Sequence, residues 1–342
     1  MDLLDFARRI PKTDLHVHLE GSIRPATLLK LAERNGIRLP AQDETGLQAF
    51  YQFHDFTQFI QVYMTLTSCL RSVDDYRLAA YEFGCDCARQ NTRYAEVTFS
   101  ILTNMRLTGL PWQDILTGLN AGREQARAEL GVDWRWVFDI VRDLPATQQA
   151  VLEITLAARD QGVVALGLGG NERGFPPRLF IETFERARQA GLPRVPHAGE
   201  NEGPGSIRGS IDLLHADRIG HGVRCIEDPA LVEILRRRQI PLEICPTSNI
   251  RLGVYADYAS HPLRRLWDAG LPVTVHSDDP PMFGTDLARE YEVLVQYFGF
   301  TADDLMRISL NGVRFSFLPA AEKEQLEQEF RQEIDRLRES LL

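Results

Sequence analysis

Short apolar runs alternate with amphipathic stretches along most of the chain. Eight runs read as strands, over residues 14–18, 93–99, 134–141, 163–168, 194–198, 218–221, 241–245 and 272–277. Between them apolar positions recur at helical spacing over 25–35, 146–161, 178–189, 229–238 and 262–269. Pro25 suits a first helical turn, and Gly36 stands just past the last periodic residue, where a left-handed stop is expected. Strands that alternate with helices run parallel, because each parallel pair needs a crossover. Eight parallel strands either close into a (β/α)8 barrel or lie in an open sheet. The α/β pattern favours the barrel and places residues 1–342 in one domain.

Two segments fall outside the rhythm. Residues 36–90 separate the first two strands by far more than one helix requires, and they carry Phe50, Tyr51, Phe53, Phe56, Phe59 and Tyr63. Part of this insertion, 56–70, reads as a helix. The segment is either a packed insertion or an apolar cover over the barrel mouth that excludes water. At the other end Leu326, Phe330, Ile334, Leu337 and Leu341 recur at spacings of three and four. They predict a C-terminal helix packed on the barrel exterior, with a dimer seam as the alternative, so the chain is expected as a monomer or a homodimer.

Composition narrows the function classes. Of the 342 residues, 44% are hydrophobic and 25% charged, as in an ordinary soluble protein with a core of its own. A net charge of −10 argues against a nucleic-acid partner. No run approaches the ~20 apolar residues that span a bilayer. The segment Met1-Asp2-Leu3-Leu4-Asp5 carries acid where a signal peptide needs basic charge, so a cytoplasmic protein without membrane attachment is expected. Five irregularly spaced cysteines do not form a disulfide framework. Cys85 and Cys87, two apart in a helical pattern, point in different directions and read as buried thiols in preference to a metal pair.

Chemistry concentrates at the ends of the predicted strands. In His16-Val17-His18 both imidazoles face one side of a strand, where they suit a metal ion or a hydrogen-bonded polar cluster. His197-Ala198-Gly199-Glu200 follows the fifth run, and its carboxyl lies within reach of a substrate as an acid. Gly220-His221-Gly222 lets the backbone bend close to a ligand. Asp278 and Asp279 adjoin at the end of the eighth run, where two acids resist burial without a cation or donors. Each motif alone also fits a structural turn. Together they mark the ends of strands one, five, six and eight, where the catalytic groups of barrels collect.

In that order the motifs resemble the adenosine deaminase family of the amidohydrolase superfamily. The matching pieces are Lys12-Thr13-Asp14-Leu15-His16-Val17-His18-Leu19-Glu20-Gly21, Gly169-Gly170-Asn171-Glu172, His197-Ala198-Gly199-Glu200, Arg218-Ile219-Gly220-His221-Gly222-Val223, Cys245-Pro246-Thr247-Ser248-Asn249 and Ser277-Asp278-Asp279-Pro280, over roughly residues 10–318. The resemblance implies a zinc-dependent aminohydrolase that replaces the 6-amino group of an adenine-type nucleoside by oxygen. It implies one zinc per chain, held by His16, His18, His197 and Asp278. Glu200 would protonate N1, and His221 would orient and help deprotonate the attacking water. Asp279 would meet N7, and the backbone at Gly170 would meet N3.

Two departures touch the sugar end. Adenosine-specific members carry Asp where this chain has Glu20, the position that meets the ribose 5′-hydroxyl, and many members carry Asp where this chain has Gly167. Free adenine and 6-amino-6-deoxyfutalosine, a menaquinone precursor, therefore stand beside adenosine and 5′-modified adenosines as expected substrates. Other amidohydrolases often hold two metals through a carboxylated lysine, but the fourth run contains no lysine. The other zinc deaminase class uses His-x-Glu with Pro-Cys-x-x-Cys, and Cys245 is followed by Pro246-Thr247-Ser248 instead. A catalytically dead binding protein is the remaining alternative, against which every implied ligand and acid is present.

Overall fold

The computed structural model describes residues 2–53 and 55–341. Eight strands follow one another in chain order: β1 (Lys12–His18), β2 (Thr92–Phe99), β3 (Asp133–Val141), β4 (Val163–Gly169), β5 (Arg194–Ala198), β6 (Ile219–His221), β7 (Leu242–Ile244) and β8 (Val273–Val275). Every consecutive pair is parallel. The sheet closes through a bridge between Val17 and Asp278, where His18 N donates to Asp278 O and Asp278 N to His16 O, both at 2.9 Å. This is the (β/α)8 barrel expected from the pattern. Most strand residues are buried because side chains fill the interior while helices cover the outside.

The helix over Pro25–Asn35 matches its expected bounds, and Gly36 ends it at φ 62°. The helix over Pro229–Arg238 also matches, with the Asp228 carboxylate capping Ala230 N and Leu231 N. The stretch expected over 146–161 is broken into a helix, Gln148–Ala157, between short 3-10 turns. The insertion folds as Glu44–Phe50, Phe56–Ser68 and Val73–Arg89. Its aromatic residues join the core formed with β1, β2 and β3. The C-terminal helix, Ala320–Leu341, buries Phe330, Ile334 and Leu337 in the core formed with β6, β7 and β8. Helices over Leu3–Arg9, Ile101–Thr108, Trp112–Leu130, Pro204–Asp212, Leu287–Phe298 and Ala302–Phe315 were not among the expected elements.

The barrel interior is not wholly apolar. Glu96 of β2, Arg218 just before β6 and Glu243 of β7 are buried together, and the guanidinium donates to both carboxylates. Phe317 closes the floor beneath them, its ring centroid 3.8 Å from the Arg218 guanidinium. Among the described residues no helix is long and apolar enough to cross a membrane.

Candidate active site

Alternation along β1 turns His16 and His18 to the same side, at the end where β1 meets β8. β5 brings His197 and β6 brings His221 to that mouth, and Asp278 follows β8. Ligand atoms of His16, His18, His197 and Asp278 all lie within 4.8 Å of one another. His18 Nε2 is 3.3 Å from His197 Nε2 and 3.4 Å from Asp278 Oδ1. Asp278 and His221 have φ of 63° and 60°, a left-handed conformation that costs a non-glycine residue on the order of 1–3 kcal/mol. The strain sits at the two side chains that must turn inward where a strand ends.

His16 carries the clearest mark of a metal ligand. Its Nδ1 faces the buried Glu243 carboxylate at 2.9 Å, while its buried Nε2 has no hydrogen-bond partner and lies 3.6 Å from Asp278 Oδ1. A histidine that gives its Nδ1 hydrogen to a carboxylate presents an Nε2 lone pair, the usual arrangement of a metal-bound imidazole. Gly220 makes the seat, since a Cβ there would come within 2.8 Å of His16 Cε1. The residues present fit a divalent ion of the zinc kind. A second cluster, His16, His221, Cys245 and Asp278, shares two members with the first. In the metal-free site, burial and the surrounding carboxylates push the Cys245 thiol well up. Neither Cys85 nor Cys87 belongs to either cluster, and all five cysteines are unpaired.

Glu200 is placed by another acid. The Glu172 carboxylate accepts from Gly199 N at 3.0 Å, from Glu200 N and Asn201 N at 2.9 Å each, and from the Ser206 hydroxyl. This nest fixes the turn after β5, and the Arg142 guanidinium ties down the His197 carbonyl beside it. Glu200 Oε1 lies 3.6 Å from His221 Nε2. Burial, then the negative charges of Asp278 and Glu172, raise the Glu200 carboxyl well above its ordinary range. Burial and Asp278 do the same for Asp279, whose buried Oδ1 has no partner. Asp279 rests against Gly21, where any Cβ would collide with its carboxyl at 1.6 Å.

A cavity of about 210 Å³ opens over these groups. His18, Gly170, His197, Glu200, His221, Asp278 and Asp279 line its inner end. Phe56, Phe59, Ile60, Tyr63 and Met64 of the insertion line its outer side, so the insertion covers the mouth. Glu20 lies outside the lining. It is fully buried, and its Oε1 accepts from Ser100 N at 3.1 Å and from Asn104 Nδ2 at 2.8 Å. Asp139 of β3 does line the cavity, as does Asp143, and the Asp139 carboxylate is held by the Ser100 hydroxyl at 2.8 Å. Asp139 fills the space beside Gly167, where a Cβ would lie 3.0 Å from its own Cβ. Reading the sequence missed Asp139 and Glu243. The available signal was a lone acid inside an otherwise apolar strand, which burial tolerates only with partners.

The barrel and the converging histidines define a metal-dependent amidohydrolase. The chain belongs to the adenosine deaminase family, whose model matches residues 11–333. It is 40% identical over 331 residues to an aminodeoxyfutalosine deaminase of Streptomyces coelicolor, covering 96% of this chain and 85% of the relative. The solved adenine deaminase of Arthrobacter aurescens is similar at 32% identity and TM-score 0.90, covering 95% of this chain and 99% of that one. An amidohydrolase from Burkholderia ambifaria, solved with bound zinc, is similar at 28% identity and TM-score 0.89, covering 99% of this chain and 94% of that one.

Proposed function

We propose that this enzyme hydrolyses the 6-amino group of an adenine-type nucleoside, adenosine or a 5′-modified adenosine, to the 6-oxo product and ammonia. The observation that carries the reading is the convergence of His16, His18, His197 and Asp278 at the inner end of a cavity also lined by Glu200 and His221. One zinc in that cluster would supply Lewis acidity and bring the pKa of water toward neutrality.

The chain's own groups account for the rest. N1, N3 and N7 of a 6-aminopurine are all acceptors, so each needs a donor. Glu200 and Asp279, kept protonated by burial, supply donors for N1 and N7, and the Gly170 N–H supplies one for N3. Glu200 gives its proton to N1 as the water oxygen bonds to C6, and takes one proton of that water in return. The remaining hydroxyl proton reaches the amino group as the C6–N bond breaks, and ammonia leaves with Glu200 protonated again. His221 orients the water. The aromatic insertion keeps bulk water out, which preserves the raised pKa values.

The outer end of the cavity supports a nucleoside without a charged 5′ group. No lysine or arginine is among the described residues that line it, and Ile60, Met64 and Leu144 at its rim remain 37%, 36% and 43% exposed. Exposed apolar side chains around a pocket mark a contact surface. Free adenine is the second reading, favoured by the likeness to the A. aurescens adenine deaminase. Five unpaired cysteines suit the reducing cytoplasm, and the net charge of −10 disfavours nucleic acid. The test is turnover by zinc-loaded protein of adenine, adenosine, deoxyadenosine, methylthioadenosine and aminodeoxyfutalosine, followed by the ultraviolet change of the purine. Turnover of a nucleoside above adenine is expected, and no turnover of any 6-aminopurine overturns the reading.

A further inference from the structure

A chain of hydrogen bonds leads from His221 away from the cavity, and its direction is fixed at the far end by a backbone amide. Leu263 N donates to His261 Nδ1 at 3.2 Å. A backbone N–H can only donate, so His261 Nδ1 accepts and the proton of its neutral ring is on Nε2. His261 Nε2 lies 3.1 Å from Asn249 Oδ1, which occupies the amide oxygen as acceptor. The Asn249 Nδ2 group therefore faces His221 Nδ1, at 3.2 Å, as a donor. His221 Nδ1 must then accept, and its proton sits on Nε2. That nitrogen points back into the site, 3.6 Å from Glu200 Oε1 and 3.8 Å from Asp278 Oδ2. All three side chains of the relay are buried, so each of these hydrogen bonds is made away from water. The rings of Tyr255 and Phe298, 5.0 and 5.6 Å from that of His261, pack it in place.

We propose that His261 and Asn249 are positioning residues that lock His221 in its Nε2–H tautomer, so that His221 donates a hydrogen bond to the attacking water and does not act as its base. Deprotonation of the water falls to Glu200, which has just released its own proton to N1. This rests on the reading of the site as a deaminase centre. It also gives Asn249, the last residue of the Cys245–Asn249 motif, a duty that its sequence position alone did not reveal.

Two measurements on the zinc-loaded full chain test it. Long-range proton–nitrogen spectra of the wild type, with His221 assigned by comparison with His221→Asn, should show Nε2 protonated and Nδ1 bare. Asn249→Asp keeps the shape of residue 249 but offers a carboxylate to both histidines, so His221 should switch to Nδ1–H. In that variant kcat should fall by about 10²- to 10⁴-fold, the scale of a wrong catalytic tautomer. KM and zinc content should stay near wild type, which a merely structural role would not predict. Protonated Nδ1 in the wild type, or undiminished kcat in folded Asn249→Asp, overturns the proposal. Should Asn249→Asp not fold, the wild-type spectrum decides alone. Failure of the wild type to turn over any 6-aminopurine would instead defeat the deaminase reading, and the spectrum would still test the tautomer.

Discussion

Glu172 and Glu200 are both buried acids at one turn, yet their surroundings give them different work. Glu172 spends its carboxylate on three backbone amides and a hydroxyl, whereas among the described residues Glu200 has the Asn201 side chain at 3.1 Å and His221 nearby. Glu200→Gln keeps the shape and removes the transferable proton, so kcat should drop by roughly 10²–10⁴-fold, the usual worth of a general acid, with the fold intact by circular dichroism. The acid works while protonated, and its pKa is raised by burial and neighbouring charge. Activity should therefore persist through neutral pH and fall as pH rises through that pKa. A pH–rate profile with no alkaline limb in kcat would refute the assignment. Glu243 acts one layer further in. Glu243→Gln must turn an amide donor toward either His16 or Arg218, and zinc affinity measured by chelator competition should weaken about 10–100-fold. Unchanged affinity would show that His16 needs no carboxylate behind it.

The helix over Phe56–Ser68 starts on an Asp55 cap and lays one apolar face on the barrel, where Phe59 stacks on Phe283 at 5.6 Å and 11°. Tyr63 of the same helix reaches His18, with ring centroids 6.5 Å apart. Ile60 and Met64 occupy its outer edge over the cavity. Ile60→Lys should raise KM for nucleosides with an apolar 5′ group by about tenfold, equivalent to losing ~1.5 kcal/mol of apolar burial, while kcat/KM for adenine stays level. Equal effects on both substrates would place the rim outside the recognition surface. Periodicity marked this helix well because it buries one face only. The last three strands were foreseen as runs of four to six residues and pair over three each, Ile219–His221, Leu242–Ile244 and Val273–Val275. The residues just past β7 and β8 leave the ladder to turn side chains inward or begin a helix, and apolar content does not distinguish those fates.

On the scale of the molecule, the barrel closes at the candidate metal cluster. The β1–β8 seam is held at the mouth by two backbone bonds among His16, His18 and Asp278. An ion shared by those side chains would tie the first strand to the last. Zinc at 100 times its dissociation constant should add about 2.7 kcal/mol of stability, read as a rise in unfolding midpoint on adding zinc to chelator-treated protein. An unchanged midpoint would mean that no ion bridges the seam.

The eight strands in their order, several of the helices between them, the helix of the insertion, the C-terminal helix and the motif residues that gather at the mouth were legible in the chain, because each is written in local period or in a short motif, whereas further helices, Trp112–Leu130 and Ala302–Phe315 among them, were not. Charge, length and cysteine spacing added only exclusions. What folding alone decided is which atoms face one another. Asp139 lines the cavity while Glu20 is turned toward Ser100 and Asn104, Glu243 backs His16, and a backbone amide at Leu263 sets the proton on His221 through two intervening side chains. These are contacts between distant strands and loops, set by register and by the direction of each hydrogen bond, and neither is encoded in the spacing of residues along one segment.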